Sequence, residues 1–253
     1  ILLAHVLGQS RAWLFAWPES DVDEARAAHF ARLIAARARG EPIAYLTGRR
    51  AFWSLDLEVG SGVLIPRPET ELLVELALAR MPADSTCAVA DLGTGSGAIA
   101  LALARERPRA RVLATDASGD ALSIARANAK RLVIGNVTFA QGDWCDALGD
   151  QRYDLLVSNP PYIALDDPHL REGDLRYEPA SALSSGVDGL DAIRRIVAAA
   201  PEHLHPRGTL LLEHGWDQAA RVRALLDERG FVAIETARDT AGHERITIAQ
   251  RAS

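Results

Sequence analysis

The residues best suited to chemistry form one run, Ser158-Asn159-Pro160-Pro161-Tyr162, which follows a short apolar stretch. A conjugated NH2 nitrogen attacks poorly because its lone pair is delocalised, so a site that uses it must hold it in a chosen geometry. The Asn159 side-chain oxygen and the Pro160 carbonyl can each accept one N–H of such a group. Pro160 and Pro161 stiffen the loop, and Tyr162 offers a ring face to a planar substrate. The run predicts a site that orients an NH2 nucleophile, and no strong base is needed because the nitrogen cation loses its proton readily.

The structural alternative for this run is a rigid surface turn, because Asn-Pro and Pro-Pro pairs are common in loops. We favour the catalytic interpretation because a second set of residues predicts a nucleoside site at the same edge of the sheet.

The second set begins with a glycine turn, Asp91-Leu92-Gly93-Thr94-Gly95, between an apolar run and a helical one. Glycines let the backbone turn sharply and let a ligand approach without Cβ atoms in the way. The same pattern also occurs in plain strand-to-helix connections and in dinucleotide sites. The glycine turn alone therefore does not identify a nucleoside site, and that interpretation depends on residues of the neighbouring strands.

Two further strand ends give that support. Asp116 ends the next strand at about the 20-residue offset at which a carboxylate accepts ribose hydroxyls, although it can also be a helix cap. Asp143 and Trp144 end the third strand, where a carboxylate and an indole can hold an adenine ring, although Trp144 can also belong to the core. Taken together, these strand ends favour a nucleoside ligand.

The elements that must position these residues begin near residue 85, where short β-rich runs alternate with helical ones. This alternation predicts an α/β fold with a mostly parallel sheet and crossover helices. The predicted strands are 88–92, 111–115, 137–141, 153–158, 209–213, 232–236 and 245–249, and the predicted helices are 98–107, 119–131, 188–204 and 216–229. Residues 237–244 are too few for a helical crossover, so the last strand is predicted to be antiparallel.

The chain before this sheet divides into two smaller units. Residues 1–48 carry apolar side chains at helical spacing and predict a small helical domain. Residues 49–66 predict a β-hairpin linker, in which residues 51–59 alternate and residues 60–62 turn the chain into residues 63–65. Residues 67–253 form the third unit, which begins with a helix at Pro68, where a missing N–H is tolerated.

Composition narrows the possible partners. The net charge of −6 gives no electrostatic reason to bind nucleic acid, and no segment is apolar for long enough to cross a membrane. Cys87 and Cys145 lack the paired spacing of a zinc or redox motif, which predicts reduced thiols in a cytoplasmic protein with no metal. We expect a monomer, and, because residue 1 is not Met, a natural chain that begins earlier.

At these residues the chain resembles the class I methyltransferases that act on exocyclic or amide NH2 groups and carry an Asn-Pro-Pro-Tyr loop. Residues 40–48 (GEPIAYLTG) and residues 64–71 (LIPRPETE) are similar to signature segments of the release factor glutamine methyltransferases, known as PrmC or HemK. The similarity covers nearly the whole chain, from the helical segment at its start to the final strand.

This resemblance implies a Rossmann-like class I methyltransferase sheet with S-adenosyl-L-methionine as the donor and S-adenosyl-L-homocysteine as the product. The implied reaction is N5-methylation of the glutamine in the Gly-Gly-Gln motif of bacterial class I release factors, with the helical domain helping to hold the protein substrate. The residues implied to bind the donor are Asp91, Leu92, Gly93, Thr94, Gly95, Asp116, Trp144 and Asn159. Those implied to hold the glutamine are Asn159, Pro160, Pro161 and Tyr162.

Two other functions use the same motifs. An adenine N6-methyltransferase would apply the Asn-Pro-Pro-Tyr loop to a flipped base in DNA or RNA, but the acidic charge and the lack of a basic recognition domain disfavour it. A dehydrogenase or a nucleotide-binding module would share the glycine turn, but we find no convincing hydride-transfer site. Glu69 and Thr70 can bond a substrate or simply begin a helix, and we leave both outside the predicted site.

Overall fold

Four helices form the first part of the computed structural model, which describes residues 1–253. They are α1 (Leu2–Leu7), α2 (Arg11–Ala16), α3 (Glu24–Ala38) and α4 (Ile43–Thr47). The Asp23 side chain caps α3 by accepting a hydrogen bond from the Arg26 N–H at 2.9 Å, which satisfies one free donor at the helix start. Gly48 ends α4 in the left-handed conformation (φ 68°). The helix α1 packs against α3 and α4.

A β-hairpin follows, made of β1 (Arg49–Phe52) and β2 (Leu55–Glu58). The predicted hairpin exists, but its predicted turn at residues 60–62 is wrong, because the chain reverses at Trp53 and Ser54. Trp53 has a φ of 54°, which is unusual for a bulky residue. Because no glycine occupies this position, the sequence gives no sign of a turn there. Contacts distant in sequence hold Trp53 in this conformation: its N–H donates to Glu71 at 2.7 Å, and its indole N–H donates to Glu106 at 2.8 Å.

A seven-stranded sheet forms the rest of the framework, in the order β5-β4-β3-β6-β7-β9-β8. Its strands are β3 (Ala88–Leu92), β4 (Arg111–Asp116), β5 (Val137–Gln141), β6 (Tyr153–Ser158), β7 (Leu204–Glu213), β8 (Phe231–Arg238) and β9 (Glu244–Arg251). The first five are parallel, and β9 lies antiparallel between β7 and β8. The predicted α/β class, the seven strands and the antiparallel last strand are confirmed.

Five helices cover the two faces of the sheet: α5 (Glu71–Leu78), α6 (Ala98–Glu106), α7 (Gly119–Arg131), α8 (Asp191–His203) and α9 (Ala219–Glu228). The neighbouring residues Val89 and Ala90 belong to different hydrophobic clusters, because side chains alternate between the faces of a strand. The helices α8 and α9 each begin three residues after their predicted starts, since residues before them form turns. A short 3-10 turn, Pro68–Thr70, precedes α5.

This topology brings the carboxyl ends of β3, β4, β5, β6 and β7 to one edge of the sheet, which is where open α/β sheets bind ligands. The long connection from β6 to α8 crosses that edge and reaches the helices at the start of the chain. There the Tyr177 hydroxyl donates to the Arg39 carbonyl at 2.8 Å, and Arg37 pairs with Asp174 at 2.9 Å. No helix is both long enough and apolar enough to cross a membrane.

Candidate active site

A cleft of about 350 Å³ opens at the carboxyl edge of the sheet, within the size range of small-molecule sites. The predicted residues Gly93, Thr94, Gly95, Asp116, Trp144, Asn159 and Pro161 line it. Asp91, Leu92, Pro160 and Tyr162 do not line it and lie directly behind its wall. The predicted residues therefore divide into those that face a ligand and those that support them.

The glycine turn after β3 forms the floor of the cleft. Gly93 and Gly95 have φ values of 75° and 57°, which residues with a Cβ rarely adopt. The N–H groups of Gly93 and Thr94 both donate to the Thr115 carbonyl, at 2.9 and 2.8 Å, so the turn is fastened to β4. A Cβ at Gly93 would lie 3.0 Å from the Trp144 ring. The turn needs glycine there because the indole packs directly against its backbone.

Asp91 supports this turn from behind. Its Oδ2 accepts hydrogen bonds from the Thr94 hydroxyl at 2.7 Å and from the Ala100 N–H at 3.1 Å. The side chain is completely buried, and Oδ1 has no hydrogen-bond partner. Burial raises the pKa of Asp91 to about 7, although the bonds from Thr94 and Ala100 oppose the rise. Asp91 therefore holds the turn in shape and does not face the cleft.

Asp116 is not the helix cap of α7, because the Ser118 side chain caps that helix, and the binding of ribose hydroxyls by Asp116 stays a prediction. Its Oδ2 accepts a hydrogen bond from the Gly95 N–H at 2.9 Å, and its Oδ1 accepts one from the Ser118 N–H at 2.9 Å. These bonds tie the glycine turn to the start of α7. Each carboxylate oxygen can accept a second hydrogen bond, so the side chain, which lines the cleft, can still bind hydroxyl groups of a ligand.

Trp144 begins the 3-10 turn after β5 and forms a side wall. Trp144 lines the cleft and also packs against one of the two main hydrophobic clusters, so it does belong to the core, and its stacking on an adenine ring stays a prediction. Its φ of 53° turns the chain sharply at this point. The neighbouring Asp143 also lines the cleft, and it forms an ion pair with Arg195 at 2.6 Å.

Asn159 projects from the loop after β6, opposite the glycine turn. Its Nδ2 donates a hydrogen bond to the Thr70 hydroxyl oxygen at 3.0 Å. Neither the Asn159 Oδ1 nor the Pro160 carbonyl oxygen accepts a hydrogen bond from within the chain. Because Asn159 lines the cleft, its Oδ1 is available for an external N–H group, whereas Pro160 is buried and outside the lining, so the role of its carbonyl stays a prediction.

The same loop is held firmly on its far side. The Tyr162 hydroxyl donates to the Glu213 Oε1 at 3.4 Å, and the Tyr162 carbonyl accepts from the Gln218 side-chain N–H at 3.0 Å. Burial and the adjacent Glu213 raise the pKa of Tyr162 above its usual range. A Cβ at Gly189 would lie only 2.2 Å from the Tyr162 carbonyl oxygen, so only glycine allows this approach. Tyr162 thus serves as a support in this conformation.

One wall of the cleft lies outside the predicted site, although the sequence indicates two residues that can bond a substrate, Thr70, which lines this wall, and Glu69, which does not. This wall comes from the linker, from the turn before α5 and from the connection between β6 and α8, and its lining residues are Ser61, Gly62, Val63, Leu64, Pro66, Thr70, Pro179, Ser181 and Ala182. Buried Glu178 joins these segments by accepting a hydrogen bond from the Ile65 N–H at 3.0 Å and by pairing with Arg67. The Tyr45 hydroxyl adds a bond to the Val63 carbonyl at 2.7 Å. The two signature segments were a signal for this wall, although their spacing alone did not show that they meet.

The charged side chains that line the cleft indicate the charge of the ligand that it favours. Its lining includes the carboxylates of Asp116, Asp120 and Asp143 and no Lys or Arg side chain. A cleft lined by one sign of charge attracts the opposite sign, so this one favours a cationic ligand over a pyrophosphate. The lining residues therefore fit a nucleoside with a sulfonium centre.

Comparisons with known proteins agree with this geometry. Residues 1–48 match the family model "PrmC N-terminal domain", and residues 69–171 match "Methyltransferase small domain". The chain is 56% identical over 247 residues to the release factor glutamine methyltransferase of Xylella fastidiosa strain Temecula1, with 98% of this chain and 90% of that protein covered. It is 54% identical over 250 residues to the protein of the same name from Pseudomonas aeruginosa, with coverages of 99% and 90%.

A solved structure shows the same fold at lower sequence similarity. The 16S rRNA N2 G1207 methyltransferase of T. thermophilus, solved with AdoMet and guanosine, superposes with a TM-score of 0.61 at 21% identity. The match covers 80% of this chain and 49% of that one. At this identity the likeness extends to the sheet and its helices only.

Proposed function

This chain belongs to the family of release factor glutamine methyltransferases, and we propose that it transfers a methyl group to the side-chain amide nitrogen (N5) of the glutamine in the Gly-Gly-Gln motif of class I peptide-chain release factors. It is an S-adenosyl-L-methionine-dependent methyltransferase. The observation that carries the proposal is the pair of unused acceptors, the Asn159 Oδ1 and the Pro160 carbonyl, beside a cleft that suits a cationic nucleoside.

We assign the donor side to the residues around the glycine turn. Bound S-adenosyl-L-methionine supplies a methyl carbon that its sulfonium sulfur activates toward a nitrogen nucleophile, and S-adenosyl-L-homocysteine is the product. Asp116 would accept the ribose hydroxyls, and Trp144 would stack on the adenine ring. Gly93, Thr94 and Gly95 would let the ligand lie close to the backbone, with Asp91 and Leu92 behind them.

We assign the acceptor side to the loop after β6. A glutamine carboxamide has two N–H groups, and Asn159 and Pro160 can accept one each, which fixes the plane of the amide. Pro160 and Pro161 restrict the backbone, so little conformational freedom remains to be lost when substrate binds. Holding the nitrogen in place supplies most of the catalysis that a poor nucleophile needs. The nitrogen releases one of its two protons to solvent as the new bond forms.

The remaining assignments concern the whole molecule. We propose that residues 1–48 help to hold the release factor, that residues 49–66 link this domain to the site, and that residues 67–253 carry the methyltransferase activity. Because the net charge is −6, the protein substrate would be bound without a nucleic acid. We further propose a monomer that acts in the cytoplasm, where release factors work.

Mass spectrometry of a purified class I release factor, incubated with this protein and S-adenosyl-L-methionine, tests the proposal. The expected result is the mass gain of one methyl group on the peptide that contains Gly-Gly-Gln. A release factor with Asn in place of that glutamine is the matched control and should gain nothing, since its carboxamide is one carbon too short. Transfer into duplex DNA with none into the release factor would instead support the adenine methyltransferase alternative.

A further inference from the structure

Gln218, the residue directly before α9, has a buried side chain that contacts the loop carrying Asn159. It is 7% exposed and lies outside the lining of the cleft. Burial of an amide is unfavourable unless its hydrogen bonds are made, and the Gln218 amide makes three. The partners of those bonds show which segments the side chain joins.

The Gln218 amide joins three separate segments of backbone. Its Oε1 accepts a hydrogen bond from the Gly215 N–H at 2.8 Å. Its Nε2 donates to the Tyr162 carbonyl at 3.0 Å and to the Asp188 carbonyl at 3.4 Å. The opposite orientation would set the amide oxygen against two carbonyl oxygens, so these neighbours fix which way the amide points. Gln218 therefore fastens the end of the loop after β6 to the turn before α9.

Two glycines make room for this side chain. A Cβ at Gly189 would lie 2.2 Å from the Tyr162 carbonyl oxygen and 2.8 Å from the Gln218 Nε2. A Cβ at Gly215 would lie 2.9 Å from the Gln218 Oε1. Because overpacking forces neighbouring atoms to shift, a larger residue at either position would displace the amide. The backbone on both sides is thus shaped to fit Gln218.

The turn that carries Gln218 is itself fixed to the sheet. Buried His214 places its Nδ1 2.9 Å from the Gly215 carbonyl oxygen and its Nε2 2.8 Å from the Thr247 hydroxyl on β9. A carbonyl oxygen can only accept, so in the neutral ring Nδ1 carries the proton and Nε2 accepts from Thr247. Gln218 therefore extends from a point that β7 and β9 define.

The loop that Gln218 contacts has two prolines, which have no N–H with which to anchor its backbone. Its start is fixed by Ser158, whose hydroxyl donates to the Leu92 carbonyl at 2.6 Å. Beyond its end, Ile163 bonds to the long connection, which contains 3-10 turns but no α-helix and no strand. The Tyr162 hydroxyl holds only its own side chain, through the 3.4 Å bond to Glu213. The bond from Gln218 to the Tyr162 carbonyl thus ties the backbone at this end to the helices and strands.

We propose that Gln218 is a positioning residue for methyl transfer, which holds the Tyr162 end of the loop and so keeps the acceptors of that loop aimed at the substrate amide. The inference rests on the proposed function, because it concerns the acceptors that would bind the glutamine N–H groups. Gln218 lies 56 residues from Tyr162 along the chain and outside the predicted site. Since it does not line the cleft, it acts only through the loop.

Loss of this bond should affect turnover more than donor binding. With the Tyr162 carbonyl released, the backbone after the prolines can rotate, and the acceptors of the loop no longer face the amide nitrogen together. A misplacement of about 1 Å at a reacting group can reduce the rate by about 100-fold. The glycine turn and Asp116 share no hydrogen bond with Gln218, so donor affinity should not change.

The first test is Gln218→Met, which keeps the length of the side chain but removes its hydrogen bonds. We expect kcat for release factor methylation to fall about tenfold, with an unchanged donor affinity by calorimetry. The matched control is Asn136→Leu, at the opposite edge of the sheet, which removes an amide that donates to the carbonyls of Ala104, Arg107 and Ala110. It should lower thermal stability but leave kcat at the wild-type value.

The second test displaces the amide without removing it, and it does not depend on how Gln218→Met folds. In Gly215→Ala the new Cβ meets the ends of the flexible Gln218 and Asp217 side chains, and Gly215 does not have a positive φ. We expect kcat to fall, by less than in Gln218→Met, with little change in thermal stability. The control is Gly135→Ala, in which a Cβ meets nothing within 4 Å, and it should keep the wild-type kcat.

A double-variant cycle separates positioning from structural support. In an Asn159→Ala background one anchor of the substrate amide is already missing, so Gln218→Met should lower kcat much less than it does alone. A defect that only reduced the folded fraction would lower kcat by the same factor in both backgrounds.

A wild-type kcat in Gln218→Met would overturn the positioning role, and so would an equal loss in the two backgrounds. A loss of kcat that Asn136→Leu shares would also overturn it, because turnover would then follow stability and not the loop. If Gln218→Met does not fold, a wild-type kcat in Gly215→Ala would overturn the role. If the wild-type protein itself transfers no methyl group to the release factor, the proposed function fails instead, so the two failures are distinguishable.

Discussion

The donor side and the acceptor side of the cleft are each supported by a buried carboxylate. Asp91 lies at the end of β3 and Glu213 at the end of β7, and each has one oxygen without a hydrogen-bond partner. Burial raises the pKa of both to about 7. They differ in their partners: those of Asp91 are three and nine residues away in sequence, whereas Tyr162 lies 51 residues from Glu213.

This difference shows that the two sides are built in different ways. On the donor side, β3, the glycine turn and α6 contain the hydrogen bonds of Asp91, and the neighbouring strand β4 adds those of Thr115 and Asp116 to the turn. The acceptor side needs the turn before α5, the loop after β6 and the end of β7 in place together. We therefore expect changes on the donor side to alter donor affinity, and changes on the acceptor side to alter turnover.

The largest effect is expected for Asn159→Ala. Removing a preorganised group that orients the reacting atoms typically lowers kcat by about 10²–10³, and we expect a loss of that size here. Donor affinity should remain close to that of the wild type, because the glycine turn and Asp116 are untouched. Single-turnover methylation of a release factor measures the first quantity, and calorimetry measures the second.

A large loss of donor affinity in Asn159→Ala, with turnover preserved at saturating donor, would contradict this division. That result would assign Asn159 to donor binding and not to the orientation of the substrate amide. The residue is implied in both roles by the family resemblance, so the measurement also separates those two assignments.

Asp116→Ala should have the next largest effect, and this effect should be on donor affinity and not on turnover. Hydrogen bonds to a charged group contribute roughly 1.5–3 kcal/mol, so donor affinity should fall by about 10- to 100-fold. The matched control is Asp120→Ala, which removes a carboxylate from the same cleft lining at an exposed position. Equal losses in the two variants would show that only the charge of the cleft matters, and that the Asp116 hydrogen bonds do not.

The smallest of the expected effects is a difference in stability between two variants: Gly189→Ala should be less stable than Gly173→Ala. Both glycines have positive φ values, 75° and 53°, so both substitutions strain the backbone. A Cβ at position 189 would also meet the Tyr162 carbonyl oxygen, whereas a Cβ at position 173 would meet nothing within 4 Å. Overpacking of this kind should cost about 1–2 kcal/mol beyond the shared backbone strain.

Urea unfolding measures this difference, and turnover should fall only in Gly189→Ala because the Tyr162 end of the loop moves. Equal stabilities would mean that the loop after β6 can shift freely. The acceptor side would then be less rigid than its long-range contacts suggest.

Much of the fold could be predicted because its signals lie within short stretches of sequence. The runs that became β3, β5 and β6 have the predicted bounds, because each is short, apolar and bordered by turn residues. The hairpin turn was placed wrongly because Trp53 is held in a left-handed conformation by Glu71 and Glu106, which are distant in sequence. Local preference gave no sign of that turn.

The residues of the candidate site likewise divide into those that the sequence could predict and those that it could not. Gly93, Gly95 and Asp116 could be found from spacing alone, because a strand, a tight turn and a helix place them together wherever the motif forms. The wall to which residues 61–64, Pro66, Pro179, Ser181 and Ala182 contribute could not be found in this way, and neither could the contact between Thr70 and Asn159. Hydrogen bonds across 89 residues of chain depend on how the sheet, the linker and the long connection pack, and no local pattern records that packing.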